Sequence, residues 1–141
     1  MVVQKPRVVL LLSGGLDSVT LGAMLRREGY GLIGLTAFYG QRHTAELEAS
    51  KKAAEMLDVE EHLLCEIEGG VFAGSALVGS MPVPKNTDPS LIGQSIPVTY
   101  VPARNTVLLS LALATAESRD CRNIAIGANV LDYSGYPDCR P

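Results

Sequence analysis

The sequence predicts an α/β domain with a doubly wound, mostly parallel sheet and helices on both of its faces. Three observations lead there. Residues 7–12, 32–38 and 62–67 are aliphatic runs with little polar alternation, as in strands covered on both sides. Stretches with helical spacing separate them, and strand–helix–strand order of this length implies right-handed crossovers.

In chain order, the first strand spans 7–12 and ends at Ser13-Gly14-Gly15. Leu21, Met24 and Leu25 then recur at helical spacing until Gly29, a natural helix terminator. A second strand covers 32–38. Thr44 is placed to cap a helix running to about Leu57, with Glu46 and Glu48 in its first turn and Ala45, Ala49, Ala53 and Met56 on one face. A third strand follows at 62–67. Between 69 and 99 the period is lost: Pro82, Pro84, Pro89 and Pro97 interrupt it, and a segment this long reads as a lid or substrate loop, with a tolerated insertion the plainer alternative. Residues 105–118 are apolar nearly all round, predicting a buried helix, and 123–127 a further strand. No internal repeat is present.

At 141 residues, 47% hydrophobic and 19% charged, the chain has the size and apolar content of one domain spanning 1–141. A net charge of −3 argues against a field that gathers nucleic acid or acidic lipid. Cys65, Cys121 and Cys139 are odd in number and lack C-x-x-C spacing, which points to a reducing cytoplasm rather than a disulfide framework. The apolar run near the amino terminus is too short for a membrane span and unlike a secretory leader, so no membrane partner is expected.

In a doubly wound sheet, ligands bind at the carboxyl ends of the strands, where residues 13–18, 39–43 and those from 129 onward emerge together. Gly14 and Gly15 allow a tight turn that leaves main-chain N–H groups facing the start of the next helix. Those donors and the helix dipole favour an anion, and the hydroxyls of Ser13 and Ser18 extend the site. Neither G-x-x-x-x-G-K-[ST] nor G-x-G-x-x-G occurs at this turn, so it is a different phosphate loop from the two commonest. The plainer reading is a glycine turn with Asp17 or Ser18 capping the helix.

SGGLDS at 13–18 resembles the PP-loop of the ATP pyrophosphatase superfamily. Together with FYGQRH at 38–43, IPVTYVPARNTVLLSLA at 96–112 and IGANVLDYSGYPDCRP at 126–141, it resembles the 7-cyano-7-deazaguanine synthase family of queuosine biosynthesis. The resemblance implies ATP-dependent conversion of 7-carboxy-7-deazaguanine and ammonia to the nitrile, by way of an activated carboxylate, with ATP and Mg²⁺ as cofactors. Whether AMP or ADP leaves stays open. It also implies a homodimer.

The resemblance assigns nucleotide contacts to Ser13, Gly14, Gly15, Leu16, Asp17, Ser18 and Gln41, with Asp17 either holding the loop or helping to place Mg²⁺. Within the motifs, Arg104 and then Arg42 suit charge developing on phosphate, and His43 suits a proton shuttle. Asp132 and Asp138 match the paired N–H donors of a deazaguanine, Tyr133 and Tyr136 could stack on its ring, and Tyr39 could hydrogen-bond to it. Lys85 is a weaker phosphate candidate. Family members carry a zinc-holding cysteine cluster beyond DYSGYPDCRP; its ligands are not in this sequence, so no metal ligands are assigned, and a pocket open on one side is expected. The competing readings are another PP-loop enzyme, such as a tRNA thiolase or amide-forming ligase, and a non-catalytic nucleotide-binding module.

Overall fold

The computed structural model describes residues 5–39, 43–72, 101 and 103–128. Strand β1 (Arg7–Leu11) leads through helix α1 (Leu16–Arg27) to β2 (Gly31–Tyr39), then through α2 (His43–Met56) to β3 (Glu61–Ile67) and a 3₁₀ turn (Gly69–Phe72). Helix α3 (Arg104–Ser118) precedes β4 (Ile124–Ala125). The sheet runs β3-β2-β1-β4, and every pairing is parallel.

The aliphatic strands form this sheet because both of their faces find cover. On one face, Val8, Leu10, Leu12 and Leu32 pack against Ala53, Ala54 and Leu57 of the α2 segment, with Val19, Leu21 and Leu25 of α1 beside them. On the other, Val9, Leu11, Ile33 and Leu35 meet Ala112 and Ala116 of α3. Helices on both faces make the sheet doubly wound, as the sequence predicts. The chain moves outward from β1 to β3 with α1 and α2 on one side, then returns through α3 to the other neighbour of β1. The strand order therefore reverses at β1, and ligand sites of such sheets lie at that switch point.

All three described helices close the same way. Gly29, Asp58 and Asp120 adopt positive φ (93°, 49° and 48°), and each helix end carries the paired Schellman bonds. These are Gly29 N–H to Arg26 C=O with Tyr30 N–H to Leu25 C=O, Asp58 to Glu55 with Val59 to Ala54, and Asp120 to Glu117 with Cys121 to Ala116. The sequence signals only the glycine terminator. Arg26, in the last turn of α1, donates to the Leu57 and Asp58 carbonyls and pairs with the Asp58 carboxylate, tying α1 to the carbonyl-rich end of α2.

Several expectations need correction. Helix α2 begins at His43, so Thr44 lies inside its first turn and not at its cap. Its buried face is Ser50, Ala53, Ala54 and Leu57, while Met56 is exposed; the sheet meets the helix one position round from the alanine stripe. Helix α3 buries Asn105, Ala112 and Ala116 but leaves Leu113 55% exposed, because a sheet covers one side of a helix and the small alanines are what let it approach. Met24 in α1 is likewise exposed. Strand β4 is two residues long, pairing only Ile124 with Val9 and Ala125 with Leu10. No described helix is long and apolar enough to cross a membrane.

Candidate functional site

At the carboxyl edge of β1, where the order reverses, a cleft of about 580 Å³ opens. Its floor is the loop 13–18, and Tyr39, Glu46, Arg104 and Gly127 stand around it. The volume lies within the range that holds a cofactor-sized ligand.

The loop is held by its own hydroxyls. Ser18 Oγ donates to the Gly15 carbonyl at 3.0 Å, so its oxygen accepts from Ser13 Oγ at 3.1 Å, and Ser13 Oγ in turn accepts the Gly15 N–H at 3.2 Å. Ser18 is 6% exposed. The residue before α1 is Gly15, which offers no side-chain cap, so neither Asp17 nor Ser18 serves as one. The first intrahelical bond runs from Val19 N–H to Gly15 C=O at 3.1 Å, and the N–H groups of Leu16, Asp17 and Ser18 have no hydrogen-bond partner among the described residues. Such first-turn donors, at the positive end of the helix dipole, are the usual seat of a bound phosphate. The buried Ser18 braces this turn.

Three contacts fix the loop from outside. Gly14 has φ 81°, and a Cβ there would stand 2.5 Å from the Ala49 carbonyl carbon and 2.6 Å from the Ser50 nitrogen, so α2 packs its main chain directly on the turn. A Cβ on Gly127 would meet the Asp17 carbonyl carbon at 3.1 Å and the Ser18 nitrogen at 3.2 Å, so the chain leaving β4 braces the first turn of α1. Beneath, the Thr36 hydroxyl donates to the Leu12 carbonyl at 2.5 Å, one residue before the loop begins.

Tyr39 and the 13–18 loop line one cleft, as the strand-end argument anticipates, and Arg104 lines it with them. Arg104 opens α3 behind Ala103, whose φ of 50° and ψ of 25° put a non-glycine residue in the left-handed region. Such a conformation costs on the order of 1 kcal/mol or more and concentrates at functional sites. The Tyr39 ring packs on Phe72 with centroids 4.9 Å apart, which sets its direction at the end of β2. Asp17 is exposed at the cleft. Sequence reasoning misses Glu46 as a cleft residue, reading it as a first-turn acid; the signal available was its position one turn into a helix whose N-terminus follows a strand end. It misses Thr36 as well, because a threonine within an aliphatic strand reads as β-propensity alone.

Gln41, Arg42, Lys85, Asp132, Tyr133, Tyr136, Asp138 and most of the 69–99 loop lie outside the described residues, and of His43 only the main chain is described. Among the described residues, no group of three or more His, Cys, Asp or Glu side chains is arranged to hold a metal.

A parallel sheet of this order, with an open phosphate-type turn at its switch point, defines a Rossmann-like α/β domain. Solved structures share that fold. A predicted subunit of tRNA methyltransferase from Methanocaldococcus jannaschii aligns with TM-score 0.56 at 19% identity over 92% of this chain and 56% of its own. An NH3-dependent NAD synthetase from Campylobacter jejuni aligns with TM-score 0.55 at 20% identity over 90% of this chain and 49% of its own. At sequence level, the family model described as queuosine biosynthesis protein QueC matches residues 7–141, and the chain belongs to that family. Among curated relatives, the 7-cyano-7-deazaguanine synthase of Desulfatibacillum aliphaticivorans is 52% identical over 139 residues, covering 99% of this chain and 60% of the relative. That of Aromatoleum aromaticum is 54% identical over 136 residues, covering 96% and 58%. The chain thus spans about three fifths of the length of the curated relatives it matches.

Proposed function

We propose that this chain forms the ATP-binding and carboxylate-activating part of a 7-cyano-7-deazaguanine synthase. The observation that carries the reading is the turn at the start of α1. Its Leu16, Asp17 and Ser18 amides have no partner among the described residues, and these residues line a cleft together with Arg104. In this reading those amides bind the ATP phosphates and Gly14 and Gly15 admit them closely. The exposed Leu16 side chain covers the nucleotide, and Gln41 adds a polar contact.

Hydroxide is a poor leaving group from a carboxylate, so the acid must first be converted to an acyl–phosphate mixed anhydride. The substrate carboxylate attacks a phosphate of ATP and the bond to the departing phosphate breaks; ammonia then attacks the acyl carbon, the carbon–oxygen bond to the phosphate breaks, and the phosphate leaves to give an amide. A second activation and elimination yields the nitrile. Arg104, with Arg42, stabilises negative charge that grows on the transferring phosphate. His43 moves a proton between ammonia and solvent. Asp132 and Asp138 accept the paired N–H donors of the deazaguanine, Tyr133 and Tyr136 stack on it, and Tyr39 fixes its edge. Mg²⁺ bound with the nucleotide would neutralise phosphate charge; Asp17 and Glu46 supply the hard oxygen donors it needs, one or two carboxylates being its usual protein share beside phosphates.

The test is phosphate and pyrophosphate release from ATP on adding 7-carboxy-7-deazaguanine, with and without ammonia. Release that needs the acid, with nitrile formed only when ammonia is present, is the expected result. ATP consumption indifferent to the acid would contradict the reading.

A further inference from the structure

We propose that Thr36 and His62 act as positioning residues for the phosphate loop, holding the end of β1 at the height from which the loop meets its anion. The inference rests on the reading that this loop binds nucleotide.

Thr36 sits on β2 at 4% exposure, and its hydroxyl donates to the Leu12 carbonyl at 2.5 Å. Leu12 is where β1 leaves the sheet: its amide still bonds the Leu35 carbonyl at 2.9 Å, and Ser13 follows it. A hydroxyl has one proton. Because the Leu12 carbonyl takes it, the 2.8 Å contact between Thr36 Oγ1 and His62 Nε2 requires the imidazole to donate. His62 is thereby held with its proton on Nε2. The relay crosses three adjacent strands, from β3 through β2 to β1, on the face covered by α2.

Room for it comes from Gly34, the register partner of His62, where a Cβ would stand 3.3 Å from the ring's Cδ2. With no side chain directly opposite, the ring leans along the strand to Thr36. Burial, helped by the Lys51 charge on α2, lowers the His62 pKa below 6.5, so the ring is the neutral Nε2–H tautomer at neutral pH. Valine would fill the same space as Thr36 but would take the hydroxyl donor from the Leu12 carbonyl and the acceptor from His62 Nε2–H. The buried hydroxyl thus joins the His62 ring to the Leu12 carbonyl, and what hangs from Leu12 is the Ser13, Gly15 and Ser18 network.

The experiment compares Mg·ATP binding by calorimetry in the unaltered chain, Thr36→Val, Thr36→Ser and His62→Phe, with the melting temperature of each recorded separately. Thr36→Val should weaken Mg·ATP binding by about tenfold or more, the equivalent of one buried hydrogen bond, with the stoichiometry kept. Thr36→Ser, which restores the hydroxyl, should return to within about threefold of the original. His62→Phe should weaken binding in the same direction, and serves if Thr36→Val fails to fold. Nitrogen-15 spectra of the unaltered chain should report the Nε2–H tautomer at His62. Unchanged affinity in the folded Thr36→Val or His62→Phe variant, whatever the melting temperature does, would overturn the inference and leave the nucleotide reading standing. Absence of binding heat in the unaltered chain would overturn the nucleotide reading, and this inference with it.

Discussion

One methyl group tests the turn. Gly14→Ala must hold φ near 81° and place a carbon 2.5 Å from the main chain of α2, which cannot move aside as a side chain would. The expected cost is roughly 2–3 kcal/mol in denaturant unfolding, from left-handed strain plus overpacking, together with loss of ATP binding. Arg104→Ala should behave oppositely, keeping the unfolding midpoint and losing about 100-fold or more in turnover, as when a charge-stabilising donor is removed from a transition state. Near-normal turnover would take Arg104 out of the site. Residues of the turn were legible because a glycine pair between an aliphatic run and helical spacing has few other uses. Ser18 was legible as a member but not in its job, since only coordinates reveal that its hydroxyl faces inward to Gly15. Thr36 and Glu46 needed the sheet register and the helix direction, which no local pattern encodes.

Elements follow from period, their ends from caps. The strands were readable because both faces are covered, and Gly29 because glycine is cheap at positive φ. Asp58 and Asp120 do the same work without that signature, aspartate being one of the few other residues that tolerate the left-handed region. Asp120→Val should therefore destabilise the chain by about 1–2 kcal/mol, measurable in denaturant, because a β-branched residue there is strained. An unchanged midpoint would mean that the α3 terminus does not depend on this cap. Helix α3 was misjudged because leucine content predicts burial only when a helix is surrounded; here Ala112 and Ala116 make the close contact and Leu113 faces outward.

For the whole molecule, charge linkage gives a prediction with a definite sign. His62 binds its proton less readily folded than unfolded, so its contribution is fully present above pH 6.5 and falls as pH drops through the window beneath, levelling off below the folded value. Glu61 is shifted down by its two-pronged bond to Arg119, at 2.7 and 2.8 Å, which joins β3 to the end of α3. Its contribution holds above pH 4.5 and is lost as pH falls through its lowered value. On acidification the His62 contribution should be lost first, and His62→Gln should remove that loss, the solvent-screened Glu61 pair adding little; a decline below pH 6.5 unaffected by that change would contradict the partial desolvation of the imidazole. The architecture was legible from alternating strands and helices, and the cleft's position from the rule that ligands sit at the carboxyl ends of the strands. The order itself was not, because which strand neighbours β1 is decided by the α3 crossover rather than by any segment alone.

The account turns on amides at the start of α1 receiving phosphate. Following the main-chain N–H resonances of residues 13–18 during titration with Mg·ATP tests it most directly. Saturable shifts centred on Leu16, Asp17 and Ser18, abolished by Gly14→Ala, are the result expected. Saturable ATP binding that leaves those three resonances where they were would contradict it.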